Sequence, residues 1–169
     1  MMKKAIQTIK NGGVVAAPTD TVYGLLADAT NPAAIAKIYA LKGRDFDKPL
    51  PIIVSPKTLG KWGLSGVITP TAQPTTYIVE LSGELPELLH SPGKTVALRL
   101  EVGNYLEELI DSVGVPLTAT SANKSGDEPA LTRLAALEIG ADLTLADDLI
   151  EGTGVPSAIV VLNDGKKIR

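Results

Sequence analysis

The chain has 169 residues, 44% of them apolar and 21% charged, which suits one soluble globular domain that buries a core without staples. It has no cysteine and one histidine, His90, so disulfides, thiolate metal sites, a cysteine nucleophile and a multi-histidine metal centre are excluded. A formal net charge of −3 argues against a protein whose main task is to hold a nucleic-acid backbone.

Taken in order, Ala5, Ile6 and Ile9 have helical spacing, and Gly12-Gly13 closes that helix. Val14 to Ala17 reads as a buried strand ended by Pro18, which cannot donate to a ladder. Thr19, Asp20 and Thr21 then bring two hydroxyls and a carboxylate to the strand end, and Gly24 permits tight backbone geometry before further apolar residues. Two readings of this cluster stand side by side: a turn fastened by its own hydroxyls, or part of a small-molecule site. Tyr23 to Leu26 is a second extended piece. Asn31-Pro32 is the expected N-cap and first position of a helix whose apolar face is Ile35, Ile38 and Leu41. Gly43 breaks it, so Lys42 and Arg44 are expected to project from a helix C-terminus, either as complements of the helix dipole or as ligand-binding cations.

Leu50 to Val54 is a strongly apolar strand, with Pro51 placing its start at an edge or bulge. Ser55-Pro56 opens a short helix toward Trp62, and Gly63 to Pro74 is loop. Thr75 to Leu81 reads as a strand, Pro86 to Leu89 as a helical turn, and Val96 to Leu100 as a strand in which Arg99 faces solvent or lines a cleft. Leu106, Leu109, Ile110 and Val113 mark an amphipathic helix closed by Gly114. Pro116 to Thr120 is a strand that runs into Ser121-Ala122-Asn123, a second polar strand end. Thr132 to Ile139 is a helix and Leu143 to Ala146 an extended piece. Gly152 to Pro156 is a turn before Ser157 and the strand Ala158 to Leu162, and Asn163-Asp164-Gly165 turns the chain into a closing hairpin. Alternating strands and helices over residues 1–169 predict one α/β (α+β) domain with a mixed sheet. No apolar run reaches the ~18 residues of a membrane span. The basic N-terminus lacks an apolar signal segment, so a cytoplasmic domain is expected.

Three strand ends with small polar groups, together with the cations Lys42, Arg44 and Arg99, suit an anion or nucleotide site. Phosphoryl and nucleotidyl chemistry is largely positioning and charge stabilisation and needs no acid–base histidine. His90 reads as a surface residue, and no phosphate-binding P-loop or G-x-S-x-G elbow is present.

Several motifs in succession carry a resemblance. Pro18-Thr19-Asp20-Thr21-Val22-Tyr23-Gly24-Leu25, Lys42-Gly43-Arg44 with Lys48-Pro49-Leu50, Thr95-Val96-Ala97-Leu98-Arg99, Thr120-Ser121-Ala122-Asn123 and Pro156-Ser157 resemble, in order, the motifs of the YrdC-like family of L-threonylcarbamoyladenylate synthases. The resemblance implies a twisted mixed sheet with flanking helices around a large concave cavity. The reaction it implies takes L-threonine, bicarbonate or CO2, and ATP to threonylcarbamoyl-AMP and pyrophosphate. Mg2+ is carried with ATP, no metal site is built from the protein, and the product passes to a transferase complex that modifies tRNA. By motif position Lys42 and Arg44 are the catalytic cations. Lys42, Arg44, Lys48, Thr95, Ser121, Asn123 and Arg169 match ATP contacts, and Thr21, Arg99 and Ser157 match L-threonine contacts. The chain departs from the family pattern at Thr71-Ala72-Gln73-Pro74 and at Gly103-Asn104, both in loops that shape the cavity. A non-catalytic YrdC-like module that binds RNA or a nucleotide is the alternative.

Overall fold

A computed structural model describes residues 1–62, 68–81, 85–91, 94–146, 152–155, 157–162 and 166–167. Helix α1 (Met2–Lys10) ends at Asn11, and Gly12 follows at φ +74°, so the chain turns where the glycine pair predicts. Strand β1 (Val15–Pro18) pairs antiparallel with β2 (Tyr23–Leu26), from Val15↔Leu26 to Pro18↔Tyr23. Helix α2 (Pro32–Lys42) is capped by the Asn31 side chain and stopped by Gly43 at φ 56°. Then come β3 (Ile52–Val54), α3 (Pro56–Lys61) with Ser55 as its cap, β4 (Thr75–Glu80), a 3-10 turn at Glu87–Leu89, and β5 (Thr95–Leu100). Helix α4 (Tyr105–Val113) is followed by β6 (Leu117–Thr118), β7 (Thr120–Ser121), α5 (Arg133–Leu137), β8 (Leu143–Thr144), β9 (Ala158–Val161) and β10 (Lys166–Lys167). The closing hairpin is present as the antiparallel pair β9–β10, while its turn at Asn163-Asp164-Gly165 lies outside the described residues.

The mixed α/β architecture agrees with the sequence, but the strands form two sheets where one was expected. One has the order β7-β2-β1-β8 and the other β10-β9-β4-β5-β3-β6. The single strand predicted from Pro116 to Thr120 is the reason. It breaks at Ala119, so β6 pairs with β3 and β7 pairs with β2. Thr118 holds the break: its buried hydroxyl accepts from Ala27 N at 2.9 Å, and its own N–H donates to Ala27 O at 2.9 Å. Ala119 N donates to Pro51 O at 2.9 Å. Pro51 thus precedes β3, which runs inside the larger sheet rather than at its edge.

Strands covered on both faces read as continuous apolar runs, and β1 and β3 are of this kind. Val14 and Ala16 join Ile35, Ile38 and Tyr39 of α2 in one cluster, together with Ile52 and Val54. Val15, Ala17 and Ile53 join Ile9 of α1 and Leu106, Leu109 and Ile110 of α4 in the other. Strand β5 differs. Val96 and Leu98 face the first cluster, whereas Thr95, Ala97 and Arg99 share the opposite face. Cross-strand register puts Thr76, Ile78, Ile159 and Val161 on that same face. Ala97, Ile78, Ile159 and Val161 are half-buried and belong to neither cluster, so this face of the large sheet is left for the site.

Replacing Asn31 with alanine removes side-chain bonds to Ala33 N (3.0 Å) and Ala34 N (3.3 Å) at the start of α2. The expected cost is about 1 kcal/mol, read as a lower urea midpoint at unchanged slope.

Candidate functional site

The loop after β1 is fastened by Thr19. Its hydroxyl donates to Val22 O at 2.7 Å, accepts from Thr21 N and Val22 N, and lies 2.9 Å from Thr21 Oγ1. The turn reading therefore holds for Thr19, and the fastening aims Asp20 away from it. Gly24 is needed for space: a Cβ there would sit 3.2 Å from the Thr19 methyl. The buried Tyr105 hydroxyl donates to Pro18 O and so ties α4 to the end of β1. Burial pushes this phenol far above its ordinary range, so it stays a donor at all working pH.

Arg99 faces the cleft. It is 9% exposed and bonds Glu101 Oε1 through Nε (2.8 Å) and Nη2 (2.6 Å). Nη2 also lies 3.1 Å from Asp20 Oδ1, which accepts no well-aligned hydrogen bond. Burial pushes the Glu101 carboxyl up, against the pull of Arg99 and of Asn104, whose Nδ2 donates to Oε2 at 2.9 Å. Thr76, opposite Arg99 on β4, places its hydroxyl 2.8 Å from Ser157 Oγ. Thr21 joins the group through the segment before Ser157. Gly154 N donates to Thr21 O (2.8 Å) and Thr153 N to Asp20 O (2.9 Å). The predicted L-threonine residues Thr21, Arg99 and Ser157 are thus brought together, and a polar cavity of about 140 Å³ opens beside Arg99 and Asp20. Its rim includes Thr71 to Pro74 on one side and Asn104 on the other, the two places where the chain departs from the family pattern.

Lys42 corrects an expectation. It does not project from α2 but turns inward, 3% exposed, and donates to Ser121 O, to Asn123 O (2.8 Å) and to Asn123 Oδ1 (3.3 Å). Its carbonyl accepts from Ser125 N at 2.8 Å. Arg44 is half-buried beside it, with Nε on Lys48 O (3.0 Å) and Nη2 on Pro49 O (3.2 Å). The Lys48 ammonium is exposed, 3.5 Å from Asp45. The structure therefore gathers Lys42, Ser121 and Asn123 into one group. The register Gly24↔Ser121 carries it three residues along the chain from Thr21. Thr95 stands apart, four residues and about 13 Å along β5 from Arg99, with its carbonyl accepting from Ser91 N. Arg169 lies outside the described residues.

Sequence reasoning missed Glu101, Thr76 and Gly152, and singled out Asn104 only as a departure from the family pattern. Glu101 carried a signal, an acid two positions after a strand arginine and hence on the same face. Thr76 and Gly152 are assembled by contacts between distant segments, with Ser157 and with Thr21. A second cavity, of about 580 Å³, adjoins Asn123 and is lined by Asp127, Glu128 and Glu138 against one cation, Lys124, which is the wrong charge for a polyphosphate. Among the described residues no cluster of three or more His, Cys, Asp or Glu side chains is placed to hold a metal.

A family model described as "Telomere recombination", the Sua5/YciO/YrdC model, matches residues 7–169. The chain belongs to this family. It is 33% identical over 171 residues to a threonylcarbamoyl-AMP synthase of Thiobacillus denitrificans, covering 95% of this chain and 90% of that one. A protein of the same name from Chromohalobacter salexigens is 30% identical over 174 residues, covering 98% and 94%. Among solved structures, P. abyssi Sua5 complexed with L-threonine superposes with a TM-score of 0.81 at 26% identity. That match covers 98% of this chain and 52% of the other, so the chain spans about half the length of Sua5. E. coli YciO shares the fold, with a TM-score of 0.75 at 21% identity over 99% of this chain and 86% of that one. The family and the fold implied by the YrdC-like resemblance are thereby established.

Two outcomes follow for this family member. A Cβ at Gly152 would stand 2.7 Å from Thr21 O, so Gly152→Ala must displace the segment that ties Ser157 to the Thr21 loop. A loss of about 1–3 kcal/mol in denaturant titrations is expected. The second concerns Lys42, which burial and the neighbouring Arg44 charge push down to about 8. Below that pH both folded and unfolded chains hold the proton, and the fold bears a buried charge. Above it, up to the unfolded value of 10.5, the unfolded chain binds more protons, so this group's contribution to stability rises with pH. The stability of the wild type relative to Lys42→Met should therefore increase between about pH 7 and about pH 10, measured by urea denaturation.

Proposed function

We propose that this chain is an L-threonylcarbamoyladenylate synthase, a nucleotidyltransferase that makes threonylcarbamoyl-AMP and pyrophosphate for the threonylcarbamoyl-adenosine modification of tRNA. The observation that carries the reading is that the segments bearing Thr21, Arg99 and Ser157 are tied together, by Gly154 N on Thr21 O, by Thr76 on Ser157 and by Asp20 on Arg99. The β2–β7 register sets Ser121 of the Lys42–Ser121–Asn123 group opposite Gly24, on the strand that leaves the Thr21 loop. Identity with threonylcarbamoyl-AMP synthases over nearly the whole chain supports it.

In this reading Arg99 takes the threonine carboxylate through Nη1, which makes no bond among the described residues, while Glu101 and Asp20 hold its other side. The Thr21 and Ser157 hydroxyls orient the amino acid. The amine nitrogen bonds to the carbon of CO2 and loses a proton, giving a carbamate. A carbamate oxygen then attacks the α-phosphorus of ATP, the bond from that phosphorus to the β-bridging oxygen breaks, and pyrophosphate leaves. Arg44, whose fork keeps N–H groups beyond those on Lys48 and Pro49, offsets charge on the phosphate oxygens. Magnesium enters as MgATP, held chiefly by the substrate's own phosphates. Lys48, Thr95 and Arg169 are assigned to the nucleotide by motif alone. The product goes to a tRNA-modifying transferase complex, and a cytoplasmic location suits that role. The net charge of −3 and the acidic lining beside Asn123 disfavour the RNA-binding module.

Purified protein given L-threonine, bicarbonate and MgATP should release pyrophosphate only when all three are present. Arg44→Ala should lower kcat by about 100- to 1,000-fold on the scale of a lost charge stabiliser. Pyrophosphate release that ignores threonine, or tight tRNA retention without turnover, would overturn the assignment.

A further inference from the structure

We infer that Lys42 and Asn123 are positioning residues, which hold the loop from Ser121 to Ser125 so that the Ser121 hydroxyl, rather than the lysine ammonium, meets the nucleotide. The inference rests on the nucleotide reading above for what the loop serves, but not for how the loop is held.

An ammonium has three donors and no acceptor. All three of Lys42 are engaged: on the carbonyls of Ser121 and Asn123 and on the Asn123 side-chain oxygen. The Asn123 amide is filled in turn, because Nδ2 donates to Lys124 O at 2.9 Å and to Asp127 O at 2.8 Å. The backbone carbonyl of Lys42 takes Ser125 N, so both ends of this one residue grip the loop. Without the ammonium, Asn123 O and Oδ1 would lose the donor they share and Ser121 O would keep only Asn123 N (3.0 Å), and each acceptor left unsatisfied favours opening the loop. For Lys42 to reach a phosphate it would have to abandon these bonds. Arg44 faces no such exchange. The Ser121 hydroxyl makes no hydrogen bond among the described residues, is half-buried, and stands at the end of β7 opposite Gly24. It is therefore the group of this trio left to contact a ligand.

The test compares Lys42→Met, Asn123→Ala and Ser121→Ala, singly and with the first and third combined. In the ligand-free protein, Lys42→Met and Asn123→Ala should each speed amide exchange across residues 121–127 by more than about tenfold while leaving α1 and β1 protected. Both should raise the KM for ATP with the KM for threonine changed less than about twofold, a split that general loss of structure would not produce. Lys42→Met added to Ser121→Ala should worsen the ATP KM by less than about twofold, since it acts through the same hydroxyl. Unchanged exchange in Lys42→Met, or losses that multiply in the double variant, would overturn the inference. Should Lys42→Met fold poorly, Asn123→Ala gives the same exchange and KM readings. The exchange measurement needs no substrate, so a protein that fails to turn over ATP would sink the functional reading and leave this one judged on its own result.

Discussion

Two sheets have to share the run from Leu117 to Ser121, and much of the site depends on how that sharing is done. Thr118 gives both its hydroxyl and its N–H to Ala27, which closes the larger sheet against the smaller. One residue later the chain is free to cross, and Ala119 anchors the crossing on the Pro51 carbonyl. The next two residues pair with β2, so Ser121 arrives beside Gly24 at the neck of the Thr19–Thr21 loop. A continuous strand through this run would have carried Ser121 and Asn123 along the large sheet, away from both the loop and the end of α2.

Around that crossing the molecule buries charge, and it handles the two cations differently. Arg99 sits among carboxylates. Glu101 engages two of its nitrogens and is itself steadied by Asn104, the residue that also caps α4. A pair so buried contributes little net stability, because desolvation offsets attraction, yet it fixes where the guanidinium points. Among the described residues Lys42 has no carboxylate partner. Carbonyl oxygens take its three donors, but burial and the nearby Arg44 charge outweigh them, so its proton is held more weakly than that of an exposed lysine.

The sequence was most readable where the deciding interaction is local. Asn31-Pro32 and Gly43 bracket α2 because a cap, a preset φ and a left-handed stop act within one turn. The runs around β1 and β3 stand out because helices cover both their faces. Legibility failed where distant segments decide. Nothing in Pro116 to Thr120 signals that Ala119 answers to Pro51, and nothing in Lys42-Gly43-Arg44 says that the first cation folds inward while the second does not. Motif order found Thr21, Arg99 and Ser157, which the structure does bring together. Thr76 and Gly152 belong to no motif, and only the packing of distant segments brings them to Ser157 and to Thr21.

The place of β9 in the large sheet bears on how the protein is made. It lies parallel to β4 and shields that strand's outer side, yet it is drawn from the last part of the chain. During synthesis the side of β4 that does not pair with β5 must wait while nearly half of the 169 residues emerge, a bare edge that invites pairing with other nascent chains. The late strand that follows Ser157 is therefore also the one that covers β4, so a ribosome-bound intermediate stays sticky for as long as the cleft beside Arg99 stays unfinished.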